Sequence, residues 1–125
     1  MQTMNNGRRA FTLVEIMIVV GIIGLLAALA IPNLLRARAT SQTKVCIDNL
    51  RIIDGAKQQW ALEHHAAPTS TPAATDIQPY MGRSTQGLMP TCPADGFQTF
   101  ATSYNMNNCG MQPTCQIDTN HVLPP

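Results

Sequence analysis

The chain has 125 residues, a formal net charge of +1 and 12% charged residues. This balance implies no polyanion partner, so no nucleic acid is expected. Once an N-terminal apolar segment is set aside, roughly 90 residues remain for one small soluble unit. A unit of that size has a modest core and often needs a cross-link.

The apolar segment runs from Phe11 to Leu35 and contains a single charge, Glu15. As a helix that rises 1.5 Å per residue it would reach roughly 37 Å, enough to cross about 30 Å of hydrocarbon. A carboxylate within that layer costs up to about 2.5–3.5 kcal/mol at its centre and less near an end. The pattern therefore predicts a membrane-spanning helix whose carboxylate needs a partner.

The stretch Phe11–Glu15 (Phe-Thr-Leu-Val-Glu) follows a short basic leader and opens the apolar segment. It resembles the N-terminal signature of type IV pilins and type II secretion pseudopilins. The resemblance implies that a prepilin peptidase cuts on the cytoplasmic side, between Ala10 and Phe11, and N-methylates the new Phe11 amine. It also implies that Glu15, the fifth residue after the cut, meets the N-terminal amine of a neighbouring subunit during assembly.

Ala10 stands immediately before the implied cut, where the family usually has Gly. A cut after Gly7 would make Glu15 the eighth residue and would break the spacing between the amine and the carboxylate. Residues 1–10 are therefore interpreted as a basic leader that is removed on maturation. Pro32 becomes residue 22 of the mature chain, and with Gly24 it predicts a kink, because proline removes one helical hydrogen bond.

An ordinary secretory signal peptide is an alternative interpretation of this segment. Ala28-Leu29-Ala30 has the small-x-small form of a cleavage site. However, the apolar run before Ala30 is about 19 residues, longer than the usual 7–15, and it begins with a carboxylate that a signal peptide does not need.

Basic residues flank the apolar segment on both sides. Arg8 and Arg9 precede it, whereas Arg36, Arg38 and Lys44 follow it. The positive-inside rule therefore does not place the N-terminus in the cytoplasm. The resemblance does, and it implies a single-pass inner-membrane protein that later joins a periplasmic or extracellular filament.

Residues 36–66 are predicted to continue as an amphipathic helix, the soluble half of the long helix. Cys46, Leu50, Ile53 and Trp60 recur at helical spacing and form one stripe, on which Lys57 also falls with its stem. A second apolar edge of this helix consists of Val45, Ile52 and Ala56.

Residues 67–125 are predicted to form a small, loop-rich β region. Phe97–Met106 favours a strand, Gln112–Val122 a short return strand that begins near Pro113, and Ile77–Met81 a helical turn. Two or three strands are not stable alone, so they should pack on the helix. The predicted fold class is α+β: a long N-terminal transmembrane helix that continues into an amphipathic helix, packed by a small antiparallel sheet, as in pilins.

Four cysteines lie beyond the membrane segment: Cys46, Cys92, Cys109 and Cys115. Outside the cytoplasm they favour disulfides; three pairings are open, with a preference for Cys92–Cys115. The absence of a Cys-x-x-Cys pair argues against a zinc ribbon. His64 and His65 are adjacent and point apart on a helix, and the acids at 76, 95 and 118 are isolated. The sequence therefore predicts no metal and no cofactor.

No constellation of catalytic residues stands out, so the chain is interpreted as a structural subunit and not an enzyme. The resemblance implies these partners: other pilin-like subunits in a homo- or hetero-oligomeric filament, the prepilin peptidase, an inner-membrane assembly platform with its ATPase, and inner-membrane lipid. The filament is either a type IV pilus or a secretion pseudopilus. The alternative function is a membrane-anchored or secreted binding module that contains disulfides.

Overall fold

A computed structural model of the chain describes residues 11–82 and 88–124. The predicted leader, and with it Ala10, lies outside the described residues. The chain separates into two compact units, Met1–Ala37 and Arg38–Pro125. The first unit contains the apolar segment, and the second contains the four cysteines.

The long helix α1 runs from Leu13 to Glu63. Thr12 caps its N-terminus, because the Thr12 hydroxyl accepts a hydrogen bond from the backbone N–H of Glu15 at 3.2 Å. The Glu15 carboxylate accepts in return from the Thr12 N–H at 3.4 Å. This reciprocal pair is a capping box, and it explains why α1 begins at Leu13.

Pro32 lies inside α1, and the helix continues through it. Because proline has no N–H, the carbonyl of Ala28 loses the donor that it would otherwise have one turn later. The helix is thus weakened here without ending. The kink expected between Gly24 and Pro32 stays a prediction.

In the second unit, α1 contributes one side of the core. Its buried residues are Cys46, Leu50, Ile53, Ala56 and Lys57. The first three confirm the predicted stripe. Ala56, which the sequence places on the flanking apolar edge, also belongs to the core. Val45, at the other end of that edge, is 44% exposed.

The C-terminus of α1 is closed by its own backbone. The Ala66 N–H donates to the Ala61 carbonyl at 2.9 Å, and His65 has a φ of 48°. This arrangement is of the Schellman type, with His65 in the left-handed position that glycine usually takes. Pro68 follows and cannot extend the helix.

The remainder of the second unit has only short regular elements among the described residues. These are α2 (Ala74–Ile77), a 3-10 turn (Gln78–Tyr80), α3 (Phe100–Ser103), β1 (Tyr104–Asn105) and β2 (Thr114–Cys115). The two strands are antiparallel, with Tyr104 opposite Cys115 and Asn105 opposite Thr114. The predicted α+β class with a small antiparallel sheet is confirmed.

The predicted strand over Phe97–Met106 is wrong for most of its length. Thr99 instead caps α3, because its hydroxyl accepts from the Thr102 N–H at 3.3 Å. A local side-chain hydrogen bond of this kind competes with strand pairing. The return strand is likewise limited to β2, which begins directly after Pro113.

Side chains of α1 hold the loops by hydrogen bonds to their carbonyls. Asn49 donates to Thr91 at 3.0 Å, and Lys57 donates to Met106 at 2.9 Å. The Lys57 side chain is fully buried, with Asp54 at 3.6 Å, and does not merely lie with its stem along the stripe. Burial lowers the pKa of Lys57, and the Asp54 carboxylate opposes that effect.

Candidate functional site

The first candidate site is the apolar surface of α1 in the first unit. Its large side chains from Phe11 to Leu35 are between 48% and 79% exposed. Among the described residues, α1 is the one helix that is long and apolar enough to cross a membrane. A surface of this kind requires lipid or other apolar helices to cover it.

Glu15 lies at the beginning of this surface. Its carboxylate accepts hydrogen bonds from the N–H and the hydroxyl of Thr12, each at 3.4 Å. Both contacts are long for a charged acceptor, so they satisfy the carboxylate only weakly. The sequence pattern Thr-x-x-Glu before an apolar run is the signal from which this capping box could have been predicted.

Gly21 and Gly24 leave open space beside the helix. A Cβ atom added at either position would meet no atom of the described residues within 4 Å. Small residues on an exposed apolar helix allow another helix to approach closely.

The second candidate site lies in the second unit, where three thiols and one imidazole meet. Cys46, Cys92, Cys115 and His121 each offer one ligand atom, and these atoms all lie within 4.8 Å of one another. The His121 Nδ1 is 3.8 Å from the Sγ of Cys92 and 3.8 Å from the Sγ of Cys115. We call these four residues the thiol–imidazole cluster.

The thiol–imidazole cluster connects four separate segments. Cys46 lies on α1, Cys92 in the loop before α3, Cys115 in β2 and His121 in the C-terminal segment. All four cysteines of the chain are free thiols in the structure, so the expected disulfides are not shown. Sequence reasoning missed the cluster because its members are far apart in the chain and no Cys-x-x-Cys pair marks them.

Polar groups surround the sulfur atoms. The Tyr104 hydroxyl donates to the Cys46 Sγ at 3.5 Å, and Asn49 donates to the Tyr104 oxygen at 3.0 Å. Burial raises the pKa of the Cys46 thiol, the Tyr104 hydrogen bond opposes this, and the adjacent thiols of Cys115 and Cys92 raise it further. Burial also raises the pKa of Cys92, against a hydrogen bond from the backbone of Ala94.

Asp95 anchors the turn that follows Cys92. Its carboxylate accepts hydrogen bonds from the Thr102 hydroxyl, from the Ser103 hydroxyl at 2.8 Å and from the Phe97 N–H at 2.9 Å. These bonds, led by that of Thr102, lower the pKa of Asp95. Ser103 also accepts from the Cys92 N–H at 2.9 Å, so the network positions the Cys92 thiol.

The other residues considered in the sequence lie elsewhere. His64 is exposed and stacks on the half-buried Trp60, with the ring centroids 5.0 Å apart. Trp60 therefore packs at the edge of the core and not at its centre. Cys109 is buried but lies outside the thiol–imidazole cluster.

Comparison with known proteins identifies the N-terminal segment. The family described as "Prokaryotic N-terminal methylation motif" matches residues 5–31. The chain is 30% identical over 98 residues to the type II secretion system core protein G of Escherichia coli (strain K12), which covers 78% of this chain and 58% of that protein.

Two further relatives give shorter matches. The type IV major pilin protein PilA of Myxococcus xanthus (strain DK1622) is 44% identical over 59 residues, covering 47% of this chain and 27% of that pilin. The type II secretion system core protein G of Klebsiella pneumoniae is 35% identical over 63 residues, covering 50% of this chain and 45% of that protein. The chain thus spans 27% to 58% of the length of these three relatives.

No solved structure matches the chain significantly. The methylation motif, however, covers the segment that contains Phe11 and Glu15, and the relatives are type IV pilins and type II secretion proteins. Residues 5–31 therefore carry the N-terminal methylation motif, and the chain is similar to type IV pilins and type II secretion pseudopilins.

Proposed function

We propose that the chain is a structural subunit of a type IV pilus or a type II secretion pseudopilus. Its precursor is held in the inner membrane by residues 11–35, with the leader in the cytoplasm. A prepilin peptidase removes residues 1–10 and methylates the Phe11 amine. The mature subunit then leaves the lipid and joins a filament with other pilin-like subunits, in which an assembly platform and its ATPase take part.

The observation that carries this proposal is the exposed apolar surface of α1 with one carboxylate at its start. Lipid can cover the apolar side chains before assembly, and the helices of neighbouring subunits can cover them afterwards. Gly21 and Gly24 favour the second environment, because nothing in the described chain occupies the space beside them.

Glu15 gives the assembly its register. A carboxylate that enters a bundle of apolar helices without a partner costs several kcal/mol. In the single subunit its contacts to Thr12 are long, at 3.4 Å, whereas the positively charged amine of Phe11 from a neighbour would pair with it directly. The ion pair therefore selects the correct stagger, and apolar packing supplies the association energy.

The mass of the mature N-terminus tests the proposal. The full chain, expressed with its peptidase, should lose residues 1–10 and begin at N-methylated Phe11. The same chain expressed without the peptidase should keep its leader and serves as the control. A mature chain that begins at Ile31 would instead identify an ordinary signal peptide, and an uncleaved chain in filaments would show that no maturation is needed.

A further inference from the structure

The thiol–imidazole cluster has the composition and the shape of a metal site. Its three sulfur ligands and one imidazole nitrogen come from four segments of the second unit and lie within 4.8 Å of one another. We propose that Cys46, Cys92, Cys115 and His121 bind a structural Zn²⁺ ion. This site goes beyond the proposed filament function and does not depend on it.

The distances suit a tetrahedral ion. With Zn–S near 2.3 Å and Zn–N near 2.05 Å, a tetrahedron has S···N edges of about 3.6 Å and S···S edges of about 3.8 Å. The two S···N distances to the His121 Nδ1 are 3.8 Å. Small side-chain movements would therefore bring all four atoms into contact with one ion.

The second nitrogen of His121 is held in the way that metal-binding imidazoles usually are. The Thr43 hydroxyl donates to the Ala39 carbonyl at 3.1 Å, which leaves its oxygen to accept from the His121 Nε2–H, also at 3.1 Å. The Asp118 carboxylate lies 3.8 Å from the same nitrogen. This tautomer directs the lone pair of Nδ1 towards the sulfur atoms.

The sulfur atoms also have the hydrogen-bond donors that stabilise thiolates. Tyr104 donates to the Cys46 sulfur, and the backbone N–H of Ala94 donates to that of Cys92. Two buried thiolates and a third that is partly buried, that of Cys115, would repel one another unless a cation compensated their charge. A Zn²⁺ ion supplies that charge and prefers thiolate and imidazole ligands in a tetrahedral arrangement.

A disulfide explains the cluster less well. Three cysteines meet here, so one disulfide would leave a third buried thiol and the imidazole without a bonded partner. Cys109 does not belong to the group and therefore cannot pair with the remaining thiol in this arrangement. A metal ion uses all four groups at once.

The four-ligand shell indicates a structural ion. Cys46 and Cys92 are fully buried, His121 is 3% exposed and Cys115 is partly buried. Because four protein ligands complete a tetrahedron, no coordination position is left open for a substrate. The ion would join α1, the loop before α3, β2 and the C-terminal segment. Since the described part of this region has only short regular elements, such a cross-link would do much to hold it on α1.

The test uses the full chain, purified from membranes in detergent and dialysed against excess Zn²⁺. Metal analysis should find about one Zn²⁺ per chain. Co²⁺ in place of Zn²⁺ should give the thiolate charge-transfer bands and visible bands of a tetrahedral site. Cys92→Ser and His121→Ala should abolish or strongly weaken binding, whereas Cys109→Ser, which changes a buried cysteine outside the cluster, should keep full occupancy.

A milder variant guards against failure to fold. Thr43→Val removes the acceptor for the His121 Nε2–H, together with the Thr43 hydrogen bond to Ala39, and leaves all four ligands in place. It should weaken Zn²⁺ affinity about 10-fold to 100-fold with unchanged stoichiometry. A disulfide among the three cluster cysteines in the isolated protein would overturn the proposal. So would four free thiols with no bound Zn²⁺ after dialysis, or full occupancy in both Cys92→Ser and His121→Ala.

Discussion

Glu15 is the one charged side chain between Phe11 and Leu35, and in the described chain its carboxylate accepts from Thr12. We expect Glu15→Gln to keep membrane insertion and processing, because a neutral amide costs less in lipid and the residue lies beyond the cut. Filament yield should fall at least about tenfold, since an unpaired amine in the bundle costs more than 1.4 kcal/mol. Sheared filaments, compared with subunit left in the membrane, measure this effect.

The matched control for that experiment is Thr12→Val. It removes the hydroxyl contacts to Glu15 and loses a helix cap worth about 0.5–2 kcal/mol, but it keeps the charge. Filaments should therefore still form. Wild-type yield from Glu15→Gln would mean that the carboxylate only reaches the lipid headgroups and has no role in register.

Asp95 makes the second unit sensitive to acid. Its folded pKa is lowered below 3.8, first by the hydrogen bond from Thr102. The ionised carboxylate therefore stabilises the fold fully above about pH 3.8, and this contribution is lost as the pH falls through the lowered folded value. Asp95→Asn should unfold more easily than wild type at pH 7, and the difference should shrink in acid.

Urea unfolding in detergent, followed by the fluorescence of the single tryptophan, measures this difference. Asp48→Asn is the control, because the Asp48 side chain is 62% exposed and its contact with Arg51 lies on the surface. It should behave like wild type at both pH values. If the free energies of unfolding of wild type and Asp95→Asn differed equally at pH 7 and pH 3, the stabilising role of the ionised Asp95 carboxylate would be contradicted.

At the scale of the element, the two parts of helix α1 have different roles. Its first part presents apolar side chains outward, whereas its second part buries one stripe beneath the loops. Ile53 is fully buried on that stripe, so Ile53→Ala should reduce the free energy of unfolding by about 2–5 kcal/mol. Val45→Ala, at a position 44% exposed on the same helix, should change it by less than about 0.5 kcal/mol. The same urea titration tests both.

The position of Trp60 changes the expected effect of its removal. A fully packed tryptophan would cost about 3–5 kcal/mol on truncation to alanine. Because Trp60 is half-buried and stacks on the exposed His64, its truncation should cost less than that of a central aromatic residue. The apolar stripe was predictable from helical spacing. The extent to which each of its side chains is buried was not, because burial depends on which loop covers the residue.

At the scale of the whole molecule, the orientation in the membrane is the property that local charge does not decide. With two basic residues before the apolar segment and three after it, the family resemblance alone favours a cytoplasmic N-terminus. Alkaline phosphatase fused after the last residue should therefore be active, because that enzyme needs the periplasm to fold. A cytoplasmic β-galactosidase fusion at the same place should be inactive. The reverse pattern would contradict the proposed topology.

The sequence by itself determined those features that depend on neighbours along the chain. The apolar run from Phe11 to Leu35, the position of Glu15 and the stripe through Leu50 and Ile53 are all patterns of period or spacing. Because helix formation and membrane affinity are governed by local hydropathy and periodicity, such patterns remain visible without a fold. The resemblance to pilins and pseudopilins rests on the same segment.

The tertiary structure decided what depends on distant parts of the chain meeting. Thr99 caps α3 and prevents most of the expected strand, and loop carbonyls draw Lys57 into the core. Cys46 and His121 meet only because the C-terminal segment folds back against α1. Local residue spacing does not predict such long-range contacts, because they are determined by tertiary packing and by the hydrogen bonding of buried polar groups.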